Sequence, residues 1–154
     1  MNVSTDVRVR RPKQHEPLMV ELLKEAGFPT YRDILLLTAA VGFQQNRRAP
    51  FAEAAGDPIR FDVLTSPSFG DTLVNMIAAN VVADPEVLDD ARIDERVRIF
   101  EEYANGGLDY IQEQCTERNQ PANLVIIDLV TQALSAGSGP EPATAEELLR
   151  GTPW

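Results

Sequence analysis

The chain has 154 residues, 44% of them hydrophobic, which suffices for one domain with a real core and hardly for two. A single cysteine, Cys115, excludes an intramolecular disulfide and any multi-cysteine metal site. The net charge of −10 repels nucleic acid in general, but residues 1–48 hold eight basic and five acidic side chains, a net of +3, which leaves −13 on the remainder. The longest apolar run near the middle of the chain, Ile34 to Phe43, contains Thr38 and Gly42 and is far too short to span a bilayer. No apolar stretch of signal-peptide length follows Arg8, Arg10 and Arg11. The expectation is a non-membrane, cytoplasmic protein.

Residues 1–6 read as a frayed terminus. Val7-Arg8-Val9-Arg10 alternates apolar and basic, the period of a strand with one buried face, and it ends at Pro12. Leu18, Leu22 and Leu23 recur at helical spacing, with Gly27 as the stop. Thr30 offers an N-cap and Asp33 completes a capping-box variant. The helix they open, Tyr31 to Phe43, is apolar almost all round, as a helix covered on most sides would be. Gln44 to Gly56 reads as a connector and Ile59 to Leu64 as a short strand or extended segment. Asp71 to Val82 is helical, and Asp84-Pro85 starts a short helix that reaches Asp90. Asp94 to Leu108 is helical, is interrupted by Asn105-Gly106-Gly107, and resumes through Ile111 and Cys115. Asn119 to Pro121 breaks the pattern, and a last apolar helix runs from Leu124 to about Leu134. This gives a single domain over 1–134, with parts 7–45 and 57–134, and a flexible tail over 135–154 that has room for a short helix at 143–150.

Little of this reads as catalytic. His15 has no second histidine or cysteine at ligand spacing, and a solvent-facing position at a helix start explains it. The pairs Asp89/Asp90, Asp94/Glu95 and Glu101/Glu102 are sequential on helices, so each pair splays, and solvated helix faces explain them. Gly106-Gly107 lacks phosphate-loop spacing, and no serine sits in a Gly-x-Ser-x-Gly elbow. The expectation is no catalytic residue, no metal and no cofactor.

The first 45 residues run strand, helix, helix, in an order and at lengths that resemble the ribbon-helix-helix fold. There two chains each donate one strand to a ribbon that enters the DNA major groove, so the resemblance implies a homodimer. Val7 and Val9 would face the helices and leave Arg8 and Arg10 for the groove. Arg11, Lys13, Arg32, Arg47 and Arg48 are the further DNA-binding candidates. The fold class is mostly α: a ribbon-helix-helix-like start followed by a small helical bundle.

Four stretches go further: Val7 to Lys13, Thr30 to Phe43, Arg47 to Phe51, and the distinctive Ile99-Phe-Glu-Glu-Tyr-Ala-Asn-Gly-Gly-Leu108. With their spacing they resemble, over about residues 7–118, a family associated with bacterial DNA phosphorothioation (Dnd) gene clusters, the DNA phosphorothioation-associated protein 4 family. Residues after about 134 fall outside the resemblance. It implies a component of a sulfur-modification and restriction defence system against phage, with other proteins of the cluster as partners. It brings no catalytic residues. The leading expectation is a non-enzymatic accessory protein that acts by protein–protein contact and by DNA contact through the basic N-terminal part. The alternatives are a ribbon-helix-helix-type transcriptional regulator of the cluster and a metal-dependent nuclease.

Overall fold

The structure, a computed structural model, describes residues 7–137. Strand β1 is Arg8–Pro12, and a 3-10 turn at Lys13–His15 leads into helix α1, Glu16–Glu25. Helix α2 is Tyr31–Gln44, strand β2 is Ala54–Arg60, and one helical turn, α3, is Phe61–Leu64. Helix α4 is Ser68–Val82, and two 3-10 turns, Pro85–Leu88 and Asp90–Arg92, bring the chain to α5, Ile93–Arg118, and α6, Ala122–Gly137. The expectations for 1–6 and for the tail from 138 onward lie outside the described residues. Ser135, expected in that tail, still belongs to α6.

The mostly helical class holds, and so does the initial strand-helix-helix order. Thr30 caps α2 as expected: its hydroxyl accepts from the Asp33 N–H and donates to the Asp33 carboxylate at 2.7 Å. Val7 and Val9 are buried, as their alternation requires.

The strand is completed differently. β1 pairs antiparallel with β2 of the same chain, Val9 opposite Ile59 and Arg11 opposite Ala55, with an irregularity between them. On the other edge of β1 the Arg10 N–H donates to the Glu101 carboxylate of α5 at 2.7 Å. Both edges thus find partners within one chain, and the two-chain ribbon is not needed to satisfy the backbone. β2 also lies earlier than Ile59 to Leu64, starting inside the expected connector, while Phe61–Leu64 is helical. Gly56 and Pro58, residue types depleted in strands, conceal it.

Packing is organised by α2, which buries Ile34, Leu35, Leu36, Ala39 and Val41 and makes its most extensive contact with α5. α4 packs on α5 and α2, and α6 packs on α5 and α1. The expected interruption at Asn105-Gly106-Gly107 does not occur, because α5 runs unbroken for 26 residues. The glycines serve the crossing instead. A Cβ on Gly107 would overlap the Thr38 carbonyl oxygen, one on Gly42 that of Tyr103, and one on Gly106 that of Arg47. Glycine within a helix costs roughly 0.5–1 kcal/mol relative to alanine. Here it lets α2, α5 and the loop after α2 approach backbone to backbone.

Candidate functional site

The seven basic candidates are placed one by one. Arg10 binds Glu101 at 3.0 Å and lies over the Phe51 ring at 4.6 Å. Arg11 is buried, its guanidinium 3.8 Å over the Tyr31 ring and its Nη1 without a hydrogen-bond partner. Lys13 faces Glu53 at 3.5 Å, with both side chains exposed. Arg32 contacts Asp33 at 3.2 Å and donates to the Ser66 hydroxyl at 3.0 Å. Arg47 pairs with Glu113, and Arg48 with Glu102 at 2.7 Å. Arg8 alone among the seven is exposed with no side-chain partner among the described residues, and it lies across the sheet from Arg60.

These placements correct two expectations. Glu101 and Glu102 are not a solvated face: their side chains are 5% and 15% exposed and receive Arg10 and Arg48. Nor does His15 face solvent. It is buried, and its Nε2 lies 2.5 Å from Asp109 Oδ1. Gln14 donates to Asn105 Oδ1 at 3.1 Å, while Asn105 Nδ2 donates to the Ala49 carbonyl at 2.9 Å. The loop is held again where the Ala49 N–H donates to the Glu102 carbonyl at 3.0 Å. No local signal in the sequence announced these pairings, in which carboxylates at 101, 102, 109 and 113 meet bases at 10, 15, 47 and 48.

Around His15 lies a cleft of about 430 Å³, lined also by Asn46, Arg47, Arg48, Asp109, Gln112 and Glu113. It could hold a small polar ligand, but its lining has no hydroxyl or thiol nucleophile. The ionisable lining groups already have partners: His15 is hydrogen-bonded to Asp109, Arg47 pairs with Glu113 and Arg48 with Glu102. Cys115 does not line this cleft. Burial, and then the nearby Glu21 carboxylate, push its thiol above the usual range, which disfavours the reactive thiolate. Among the described residues no group of three or more His, Cys, Asp or Glu could hold a metal ion. No described helix is long and apolar enough to cross a membrane.

An apolar surface on another side lacks such internal partners. Between α2 and α4 is a cavity of about 500 Å³ lined by Leu36, Leu37, Ala40, Phe69, Leu73 and Met76, with Asp33 and Thr72 at its margin. Between α2 and α6 is one of about 110 Å³ lined by Leu37, Ala40, Val41, Ile126, Leu129 and Val130, with Gln44 and Ala133. Leu37 and Ala40 belong to both, so the two form one groove with α2 as floor and α4 and α6 as walls. Phe69 is 59% exposed, Met76 40% and Val130 41%. α4 has 15 residues and α6 has 16, yet each carries one charged residue, Asp71 and Asp128. Protein surfaces are ordinarily about a quarter charged or more, and a contiguous apolar surface marks an interaction site.

Fold and surface together define a small, mostly helical domain in which five of the seven basic candidates form internal ion pairs and an apolar groove is open. A model of the family described as DNA sulphur modification system-associated protein 4 matches residues 8–146, and the chain belongs to this family. The match runs past residue 118, where the resemblance read from the sequence ended, and takes in residues after 134 that were expected to fall outside it. No curated protein and no solved structure matches the chain.

Proposed function

We propose that the chain is a non-enzymatic docking component of a DNA sulphur modification system, binding another protein of that system through the groove between α4 and α6. The observation that carries this reading is the apolar floor and walls, open in a chain whose net charge is −10. Every cation of the polar cleft is matched to a carboxylate, so that cleft offers a ligand little uncompensated charge. The test is co-purification of the chain with the other proteins encoded beside it. A Phe69→Gln/Met76→Gln double variant should lose its partner while keeping its melting temperature. Undiminished co-purification of that variant would refute the groove as the docking surface.

A second reading, DNA contact through the ribbon, draws on one observation. Arg8 and Arg60 are exposed and directly opposite, and like charges so placed cost stability unless something anionic lies against them. Arg60 also holds Asp62 at 2.8 Å, an exposed pair worth about 1 kcal/mol or less and readily surrendered. Two phosphate contacts give a slope of log affinity on log salt of about −2. A gel shift that shows no binding at low salt, or binding that survives Arg8→Ala with Arg60→Ala, ends this reading.

A further inference from the structure

We propose that the groove receives one amphipathic helix of a partner protein, its apolar stripe on Leu37 and Ala40 and its flanks carrying lysine or arginine. This rests on the docking reading and adds the chemistry of the occupant. Shape comes first. The floor is half-buried Leu37 and Ala40, and the walls rise to the exposed Phe69 and Met76 on one side and Val130 on the other. A trough of this kind is filled by a ridge. A helix supplies one when large apolar side chains recur at i, i+3 or i+4, and i+7. A second copy of this chain would set trough against trough and leave both unfilled, forfeiting the close packing that stabilises an interface.

Charge then selects the flanks. Asp33, the charged residue that lines the groove, is acidic; Asp71 and Asp128, the charged residues of the wall helices, lie outside its lining. Arg118 takes Asp128 at 3.1 Å, and Arg32 takes Asp33 at 3.2 Å, so the local field is modest. The chain as a whole still carries −10. That field attracts a basic segment and repels both an acidic one and a second copy of the chain.

The probes are three labelled synthetic 18-residue peptides: leucine and lysine with leucine on one helical face, leucine and glutamate in the same pattern, and a scrambled leucine–lysine peptide with no such face. Binding to the full chain is followed by fluorescence anisotropy at physiological salt. The amphipathic leucine–lysine peptide should bind at least tenfold tighter than the other two. Its affinity should fall at least tenfold for Phe69→Gln/Met76→Gln, or for Val130→Gln should that pair fail to fold. Leu88→Gln, equally exposed but off the groove, should leave binding unchanged. Equal binding of the glutamate or scrambled peptide overturns the proposal, as does binding that ignores the groove variants, or no binding at all. Sedimentation showing a dimer that the groove variants dissociate assigns the surface to a second copy and overturns it too. The docking reading fails separately, when the groove variants still co-purify with the system's proteins.

Discussion

Replacing Gly107 by alanine tests the crossing on which the fold depends. The new Cβ would overlap the Thr38 carbonyl oxygen and come within 2.7 Å of its carbon, both in the main chain of α2. A flexible side chain could turn aside, whereas a helical carbonyl moves only with its helix. Relief therefore means parting α2 from α5 along their most extensive contact. Overpacking costs about 1–3 kcal/mol, and a backbone obstacle belongs at or above the upper end. Alanine returns about 1 kcal/mol of helix propensity. The net expectation is a loss of about 2 kcal/mol, or roughly 6–8 °C in melting temperature for a domain of this size. Far-UV circular dichroism during thermal and urea unfolding measures it. Thr116→Ala, on the exposed face of the same helix, is the comparator and should change stability by no more than about 0.5 kcal/mol. Were Gly107→Ala as stable as the wild type or more so, the two backbones would not touch here and the account of the glycines would be wrong.

Other predictions concern the polar contacts. Asn105→Ala strands the Ala49 carbonyl and removes an acceptor from Gln14, so its urea midpoint should drop by the equivalent of about 2 kcal/mol. Glu101→Gln keeps an acceptor for the Arg10 N–H but gives up the charge; it should cost about 1–2 kcal/mol, and Glu101→Ala clearly more. Burial pushes the Asp33 carboxyl up, but hydrogen bonds from Thr30 and Arg32 and the Arg32 charge together hold it below the usual range. A carboxyl depressed on folding contributes stability above its unfolded value, near pH 4, and that stability is lost as pH falls through the folded value. Asp33→Asn should thus flatten the acid side of the urea-midpoint profile below about pH 4. The Cys115 thiol, pushed up by burial, should alkylate several-fold more slowly at pH 8 than free cysteine, as mass spectrometry of timed samples would show.

Local rules made much of the fold legible. Thr30 with Asp33 marked the start of α2, Gly27 lay just past the end of α1, and the Val7/Val9 alternation gave the buried face of β1. Contacts between residues far apart in the chain were hidden. Nothing near Arg10 announces Glu101, 91 residues away, nor does anything near Gly107 announce Thr38. Hence Glu101/Glu102 read as solvated and Gly106-Gly107 as a break: a carboxylate pair and a glycine pair carry those meanings wherever no partner helix covers them. The groove was hidden for a related reason. The segments of α4 and α6 read as apolar helices, but only the packed structure reveals that part of each apolar surface stays uncovered.

The stretches that carry the family resemblance converge in space. Glu101 holds β1, Glu102 and Asn105 hold the loop of Arg48 and Ala49, and Gly106 and Gly107 admit that loop and α2. The walls of the groove come from α4 and α6, outside those stretches, with α2 alone shared as the floor. Stability and recognition are therefore separable. Changes at the α2–α5 crossing should alter stability whatever is bound. Substitutions at Phe69, Met76 or Val130, all at least 40% exposed, should alter binding at nearly constant stability. The family match, over residues 8–146, takes in both the α2–α5 crossing and the helices that wall the groove.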